Sequence, residues 1–247
     1  GVILATGPTG AGKTTTLYSL LRLADRAGTN IVTVEDPIEY DLPGISQSQV
    51  DAGAGMGFAT GLRAVLRQDP DVILVGEIRD PETAATAAQA ALTGHLVFSS
   101  LHAGSVAGAV VRLRELGVQD VLIAATLRGV VAQRLVRRLC PACRAPRPPS
   151  PDEAGLFRDA GLAVPDALHE PVGCDACEGT GHAGRQGLFE LVEISPALRA
   201  AIESGRPETE ITAALAPADR LRGQGLQAAA RGDIAPDDLR RVLGLPA

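Results

Sequence analysis

Tryptophan is absent from the 247-residue sequence, and aromatic residues make up only 2% of it. That scarcity argues against a platform on which single-stranded nucleic-acid bases stack. Positive charge is also in short supply: 23 basic against 29 acidic side chains leave a net charge of −6. This balance argues against a protein whose main business is gripping nucleic-acid phosphates. No apolar run approaches the roughly 18–20 residues needed to span a bilayer, and no signal peptide opens the chain. What remains, 45% hydrophobic and 21% charged residues, is an ordinary soluble globular composition with enough length for a large domain or a core plus an appendage. The sharpest scarcity is lysine. Of the 23 basic residues a single one is lysine, Lys13.

Arginine replaces lysine at most surface positions, so a lysine that survives a coding bias toward arginine marks a place where a compact ammonium matters. Chance is the plain alternative, and the neighbours decide between them. Lys13 sits in Gly7-Pro8-Thr9-Gly10-Ala11-Gly12-Lys13-Thr14, which matches the phosphate-binding pattern G-x-x-x-x-G-K-[ST]. On this composition the pattern arises by chance with a frequency on the order of 10⁻³. Val2–Ala5 reads as a buried strand before the loop. Thr14 to about Arg26 reads as a helix after it, with Leu17, Leu20, Leu21 and Leu23 mostly on one side. Strand, glycine loop and helix N-terminus together place backbone N–H groups around a phosphate. Lys13 then reaches the β- and γ-phosphates, and the Thr14 hydroxyl supports Mg²⁺. Gly7–Thr15 is the expected nucleotide-binding segment.

Strands and helices continue to alternate. Ile31–Val34, Val72–Val75 and Leu96–Ser100 read as strands, Ile45–Val50 as one arm of a hairpin, and Phe58–Gln68, Pro81–Leu92 and Ser105–Glu115 as helices. Repeated strand–helix units with apolar strands imply an α/β fold with a mostly parallel sheet covered on both faces. Ligands bind such sheets at the carboxyl ends of the strands. Glu35 and Glu77 follow buried strands there, where a hydrolase needs carboxylates to orient water and support the metal; solvated surface carboxylates are the plain alternative. His95 and His102 bracket one strand and stand roughly 20 Å apart if it is extended, so they do not share one phosphate. His102, at the carboxyl end, is the expected nucleotide contact, and His95 the structural or interface one.

The four cysteines form two C-x-x-C pairs, Cys140/Cys143 and Cys174/Cys177. Four soft thiolates match a closed tetrahedral structural Zn²⁺ site. Disulfides would need an oxidising compartment, and a thioredoxin-like role needs one such pair on a suitable fold; free thiols are the remaining alternative. His169 and His182 read as spare, solvated residues. Ala145–Pro151, with four prolines, reads as an exposed linker. Beyond Glu193 four short amphipathic helices are expected, over Pro196–Ser204, Pro207–Leu215, Asp219–Arg231 and Pro236–Leu243.

Together these segments resemble the hexameric ATPases of type II secretion and type IV pilus assembly, over nearly the whole chain. The phosphate loop extends through Thr15-Thr16-Leu17-Tyr18. Thr33-Val34-Glu35-Asp36-Pro37-Ile38-Glu39-Tyr40 resembles the family's aspartate box, and Ile73-Leu74-Val75-Gly76-Glu77-Ile78-Arg79-Asp80 its atypical Walker B. Thr93-Gly94-His95-Leu96-Val97-Phe98-Ser99-Ser100-Leu101-His102 resembles its histidine box. The resemblance implies a RecA-like P-loop NTPase core at 1–135, a zinc-binding tetracysteine subdomain at 136–190 and a C-terminal helical region at 191–247. It implies that Glu35 activates water, with Glu39 a second candidate, that Glu77 is the Walker B glutamate, and that Asp36, Arg79 and His95 belong to the boxes. Gly76 stands where ordinary P-loop ATPases carry a metal-binding Asp, which shifts metal support to Thr14 and water. Ser100 and Ala103 stand beside His102 where the family more often has Thr.

The same resemblance implies ATP with Mg²⁺, structural Zn²⁺ and a homo-hexamer. It also implies an inner-membrane platform protein and a membrane-linked adaptor as partners, no direct contact with nucleic acid, and a cytoplasmic location peripheral to the inner membrane. Retraction motors lack the zinc insert, so the cysteines point to an extrusion or assembly motor, and Tyr40-Asp41-Leu42-Pro43-Gly44-Ile45 leans toward the secretion branch. The amino-terminal half typical of the family, which supplies arginines to the nucleotide, lies outside these residues; slow hydrolysis and poor assembly are expected of this stretch alone. Two rival readings are a nucleic-acid-linked P-loop translocase, such as one for DNA uptake, and a non-enzymatic zinc module on a decayed ATPase core.

Overall fold

Short runs of branched apolar residues form a parallel sheet in the computed structural model, which describes residues 1–25, 27–51, 53–215 and 221–245. The chain divides into two compact units. The first comprises Gly1–Ala132 and Leu191–Ala214, and the second Gln133–Glu190 and Leu215–Ala247.

In the first unit, β1 (Val2–Thr6), β2 (Ile31–Glu35), β4 (Val72–Val75) and β5 (Leu96–Leu101) are central strands, and β3 (Ser46–Gln49) is the edge. The order is β3-β2-β4-β5-β1, followed by β6 (Leu127–Leu139) and β9 (His182–Glu193), two strands that pass from one unit into the other. All five residues of β2 and all four of β4 are buried. Continuous apolar runs of this kind belong to strands covered on both faces. Every pairing from β3 through β1 to β6 is parallel. The register aligns Val34 with Val75, Val75 with Ser99, and Ser99 with Leu4. One residue further along each strand, Glu35, Gly76, Ser100 and Ala5 therefore share a row at the carboxyl edge.

The crossovers are helical: α1 (Lys13–Ala24), α2 (Phe58–Val65), α3 (Pro81–Leu92) and α4 (Val106–Glu115). Asp80 caps α3 by accepting the Thr83 N–H at 2.8 Å, with Pro81 in the first turn. Ser105 caps α4 through the Gly108 N–H at 2.9 Å. Two expectations change here. Leu23 is 74% exposed whereas Tyr18 is fully buried; the buried stripe of α1 runs through Leu17, Tyr18 and Leu21, and a step of about 100° per residue carries Leu23 off it. The Ile45–Val50 segment is a parallel edge strand on β2, not a hairpin arm. The unit is completed by α5 (Asp120–Thr126), α7 (Pro196–Glu203) and α8 (Glu208–Ala213). Arg114 ties them by donating to Asp120 at 2.6 Å and to the Arg206 carbonyl at 2.8 Å.

In the second unit the proline-rich stretch is ordered rather than a linker. Ala145–Arg147 is strand β7, antiparallel to β8 (Leu168–Glu170). A two-stranded ladder has only edges, where proline's missing N–H is tolerated. Ser150 and Glu153 then form a reciprocal capping box on α6 (Pro151–Asp159). Phe157, Leu168, Leu188, Leu226 and Leu239 pack in one apolar core with α9 (Leu221–Ala230) and α10 (Pro236–Leu243). The expected helix Asp219–Arg231 begins outside the described residues, and α9 is buried over most of its surface rather than on one face. His182 is not solvated either: its Nε2 lies 2.8 Å from Asp238 Oδ2, and Arg137 donates to Asp238 Oδ1 at 2.6 Å.

Glu153 is 2% exposed and accepts two bonds from Arg147, at 2.6 and 2.8 Å. That guanidinium, aided by the Ser150 N–H and opposed by burial, holds the Glu153 pKa at about 2 against 4.5 for a free carboxyl. A depressed carboxyl stabilises fully above its unfolded value and loses that contribution as the pH falls through the folded value. Arg147→Ala is therefore expected to cost about 3 kcal/mol at neutral pH, at the lower end for breaking a buried pair because Arg147 keeps some access to water. Melting temperatures measured from roughly pH 6 to pH 3 should fall less steeply in the variant than in the wild type; equal slopes contradict the assignment.

Candidate functional site

The loop from Gly7 to Gly12 turns β1 into α1. Gly12 caps the helix at φ 85°, a left-handed conformation that a side chain would strain. Ala11 N–H donates to the Pro8 carbonyl at 3.2 Å, and Thr16 N–H to Gly12 at 3.1 Å. The first-turn amides of α1 therefore head a helix whose dipole is positive at this end. Lys13 Nζ donates to the Gly7 and Pro8 carbonyls at 2.8 and 3.1 Å, so its ammonium closes over the loop that it serves.

A cleft of about 260 Å³ opens above the carboxyl edge of the sheet. Thr9, Gly10, Ala11, Lys13 and Thr14 line it from the loop, and Glu35, Asp36 and Glu39 from the end of β2. Glu77 and Arg79 enter after β4, and Ser100 and His102 from the end of β5. The cleft thus gathers the loop, both strand-end glutamates, Glu39, Arg79 and His102. Gly7, Pro8 and Gly12 belong to the loop and Thr15 to the first turn of α1, and none of the four lines the cleft. His95 sits at the opposite end of β5, where its Nδ1 lies 2.9 Å from the Ala90 carbonyl and 3.2 Å from Thr93 Oγ1. Leu17, Phe58 and Leu74 supply apolar walls; nothing in their helix or strand pattern signals that they face a cavity.

Two carboxylates are held in different ways. Glu77 is 9% exposed; the Arg79 guanidinium contacts its Oε1, and His102 Nε2 lies 3.6 Å from its Oε2. Glu35 is 3% exposed and has no cation against it among the described contacts. Neutral donors surround it: Thr33 Oγ1 at 2.6 Å and Gln47 Nε2 at 3.0 Å on Oε1, and the Tyr18 hydroxyl on Oε2. Burial first, then the adjoining Glu35 carboxylate, push the Tyr18 pKa far up, so the phenol stays protonated and donates. Thr33 stood in the box without a role of its own, and Gln47 carried no functional signal in the sequence; the parallel placement of β3 beside β2 brings Gln47 there.

The cysteines meet in the second unit. Cys140 and Cys174 Sγ lie 4.0 Å apart, Cys143 and Cys177 3.8 Å, and Cys174 and Cys177 3.8 Å. All four lie within 4.8 Å of one another. Four sulfurs at about 2.3 Å from a tetrahedral Zn²⁺ stand about 3.8 Å apart, so the donor set fits the ion. Backbone amides prepare the sulfurs for negative charge: Cys174 and Gly181 N–H each donate to Cys177 Sγ at 3.2 Å, and Gly173 N–H to Cys143 Sγ at 3.3 Å. Burial raises the Cys177 pKa, but those amides and the neighbouring thiols outweigh it and bring the value to about 6. Gly181 is required twice over, by φ +71° and by Pro171, whose Cβ lies 2.5 Å from where a side chain would begin.

Comparison with known proteins agrees with this architecture. Residues 1–241 match the family model described as type II/IV secretion system protein. The putative type II secretion system protein E of Escherichia coli K12 is 51% identical over 243 residues, covering 98% of this chain and 49% of the relative. The type II secretion system protein E of Aeromonas hydrophila is 49% identical, covering 98% and 48%. This chain thus spans about half the length of the curated relatives that it matches. Among solved structures, the pilus retraction motor PilT with bound ADP superposes with a TM-score of 0.72 at 28% identity, covering 98% of this chain and 60% of that one. The Legionella pneumophila ATPase DotB gives 0.70 at 25% identity, covering 98% and 59%. By its sequence along nearly its whole length, and by a fold shared with the pilus retraction motor PilT and the ATPase DotB, this chain belongs to the type II/IV secretion system protein family.

Proposed function

We propose that this chain is the ATP-hydrolysing half of a motor subunit that powers type II secretion or the assembly of a type IV pilus or pseudopilus. The observation that carries the reading is a single cleft in which Lys13 and Thr14 of a phosphate loop meet Glu35, Glu77 and His102 from three strand ends. Relatives named type II secretion system protein E support the secretion role, and the ADP-bound retraction motor supports the nucleotide.

The chemistry follows from what each residue holds. Lys13 exchanges the Gly7 and Pro8 carbonyls for β- and γ-phosphate oxygens, which the three donors of an ammonium allow. The Thr14 hydroxyl would hold Mg²⁺, which would offset the charge of the phosphates. Glu77, steadied by Arg79, serves as the Walker B glutamate that supports the metal and the water, while Glu35 orients the attacking water and takes its proton as the γ-phosphoryl group passes to it, leaving ADP and phosphate. Glu39, exposed at the rim, is the reserve candidate for that role. His102, 3.6 Å from Glu77, contacts the γ-phosphate or reports its loss. Cys140, Cys143, Cys174 and Cys177 hold a structural Zn²⁺.

In the complete protein, hydrolysis drives rigid-body motion between subunits of a homo-hexameric ring. Those subunits act from the cytoplasmic face of the inner membrane through a platform protein and a membrane-linked adaptor. None of the helices among the described residues is long and apolar enough to cross a membrane. The reading is tested by phosphate release from ATP with and without Mg²⁺ and with added DNA. Release that needs Mg²⁺ and ignores DNA is expected. Release that rises with DNA in a salt-dependent way indicates a nucleic-acid translocase, and no Mg²⁺-dependent nucleotide binding indicates a decayed core.

A further inference from the structure

The hydrogen-bond partners of the Glu35 side chain, Thr33, Gln47 and Tyr18, carry no charge of their own, and Tyr18 also reaches Gln47. The Tyr18 hydroxyl donates to Glu35 Oε2. It also accepts the Glu39 N–H and Gln47 Nε2, each at 3.4 Å. Its ring meets that of Tyr40 edge-on, with centroids 4.8 Å apart and planes at 79°. Gln47 closes the circuit by donating to Glu35 Oε1 at 3.0 Å and accepting the Leu42 N–H at 2.6 Å. Both ends of the segment from Glu35 to Tyr40 are therefore fixed on one side chain. That side chain belongs to α1, the helix whose first turn carries Lys13 and Thr14.

We infer that Tyr18 is a positioning residue that locks the Glu35 carboxylate in register with the phosphate-binding helix and leaves it one free acceptor position for water. The inference rests on the ATPase reading above. A carboxylate offers about four acceptor positions. Thr33 and Gln47 take two on Oε1 and Tyr18 takes one on Oε2. The position that remains is on Oε2, in a residue that lines the cleft. Tyr18 is fully buried and does not line the cleft, so it acts through Glu35 and not on the nucleotide. A carboxylate free to rotate would lose the water geometry that in-line attack needs.

The test is a cycle of Tyr18→Phe, Glu35→Gln and the double variant, measured for ATP binding, KM and kcat with the 247-residue chain. Tyr18→Phe is expected to lower kcat by about tenfold to a hundredfold, the worth of a hydrogen bond to a charged group, with KM and binding within about twofold. In the Glu35→Gln background, Tyr18→Phe is expected to add less than about twofold. Gln47→Leu, at a half-buried position outside the core, should repeat the pattern if Tyr18→Phe folds poorly. An equal kcat loss with and without Glu35, or a change confined to KM, overturns the inference. A wild-type chain that releases phosphate beside an equally active Tyr18→Phe overturns it alone, whereas a wild-type chain that releases none overturns the ATPase reading with it.

Discussion

Lys13→Arg abolishes turnover although the charge is kept: phosphate release is expected to fall by at least about a hundredfold, the scale of losing a transition-state charge contact. The ammonium lies 2.8 Å from the Gly7 carbonyl and 3.1 Å from the Pro8 carbonyl, inside a loop whose Ala11 N–H bonds back to Pro8. A guanidinium is planar and wider, and presents its donors in a fixed fork, whereas lysine acts as a point charge. It cannot occupy the same space without prising Gly7 and Pro8 apart. Circular dichroism and melting should remain close to wild type, because Lys13 takes no part in the apolar core that Leu17, Tyr18 and Leu21 build beneath it. Steady-state and single-turnover phosphate release give the readout. Activity within about threefold of wild type removes the special role of the compact ammonium.

Removing the metal is expected to have the largest effect on stability. Four thiols brought within 4.8 Å of one another crowd together without an ion. A structural Zn²⁺ site contributes an apparent 10–16 kcal/mol or so to folding at neutral pH. The second unit has a modest apolar core and cannot replace so much. Chelation under reducing conditions should release about one zinc per chain and strip hydrogen-exchange protection from the amides that face sulfur, those of Gly173, Cys174 and Gly181. Cys177→Ser should do the same, since Cys177 accepts two of those amides. Protein purified without zinc, or amides equally protected before and after chelation, contradict the site.

Much of this was legible in the sequence because the signals are local. The phosphate loop, the buried strands at Ile31–Val34 and Val72–Val75, and the paired C-x-x-C motifs each carry their own pattern, and parallel strands with helical crossovers bring their ends to one edge. What was hidden depended on neighbours far along the chain. Ser46–Gln49 has no apolar alternation because it is an edge strand, so its partner and direction were unreadable, and with them Gln47 beside Glu35. Tyr18 stood only at the end of the extended phosphate-loop segment; the fold is what shows that it joins the buried stripe of α1 and that its hydroxyl has a partner. His182 read as spare because Asp238 lies 56 residues away. The proline-rich stretch read as a linker because a short ladder and a capping box leave little trace in composition.

The central claim is that the strand-end carboxylates turn a bound nucleotide over, and Glu77 tests it most directly. Its carboxylate is held by Arg79 and stands 3.6 Å from His102, and glutamine keeps its shape while removing the charge. Nucleotide binding and phosphate release are to be measured on the same samples of wild type and Glu77→Gln, with Mg²⁺. Binding within about threefold and release lower by about 10²–10³ are expected, since only the transition state needs the carboxylate. Equal phosphate release by the two proteins contradicts the assignment of Glu77 to the reaction.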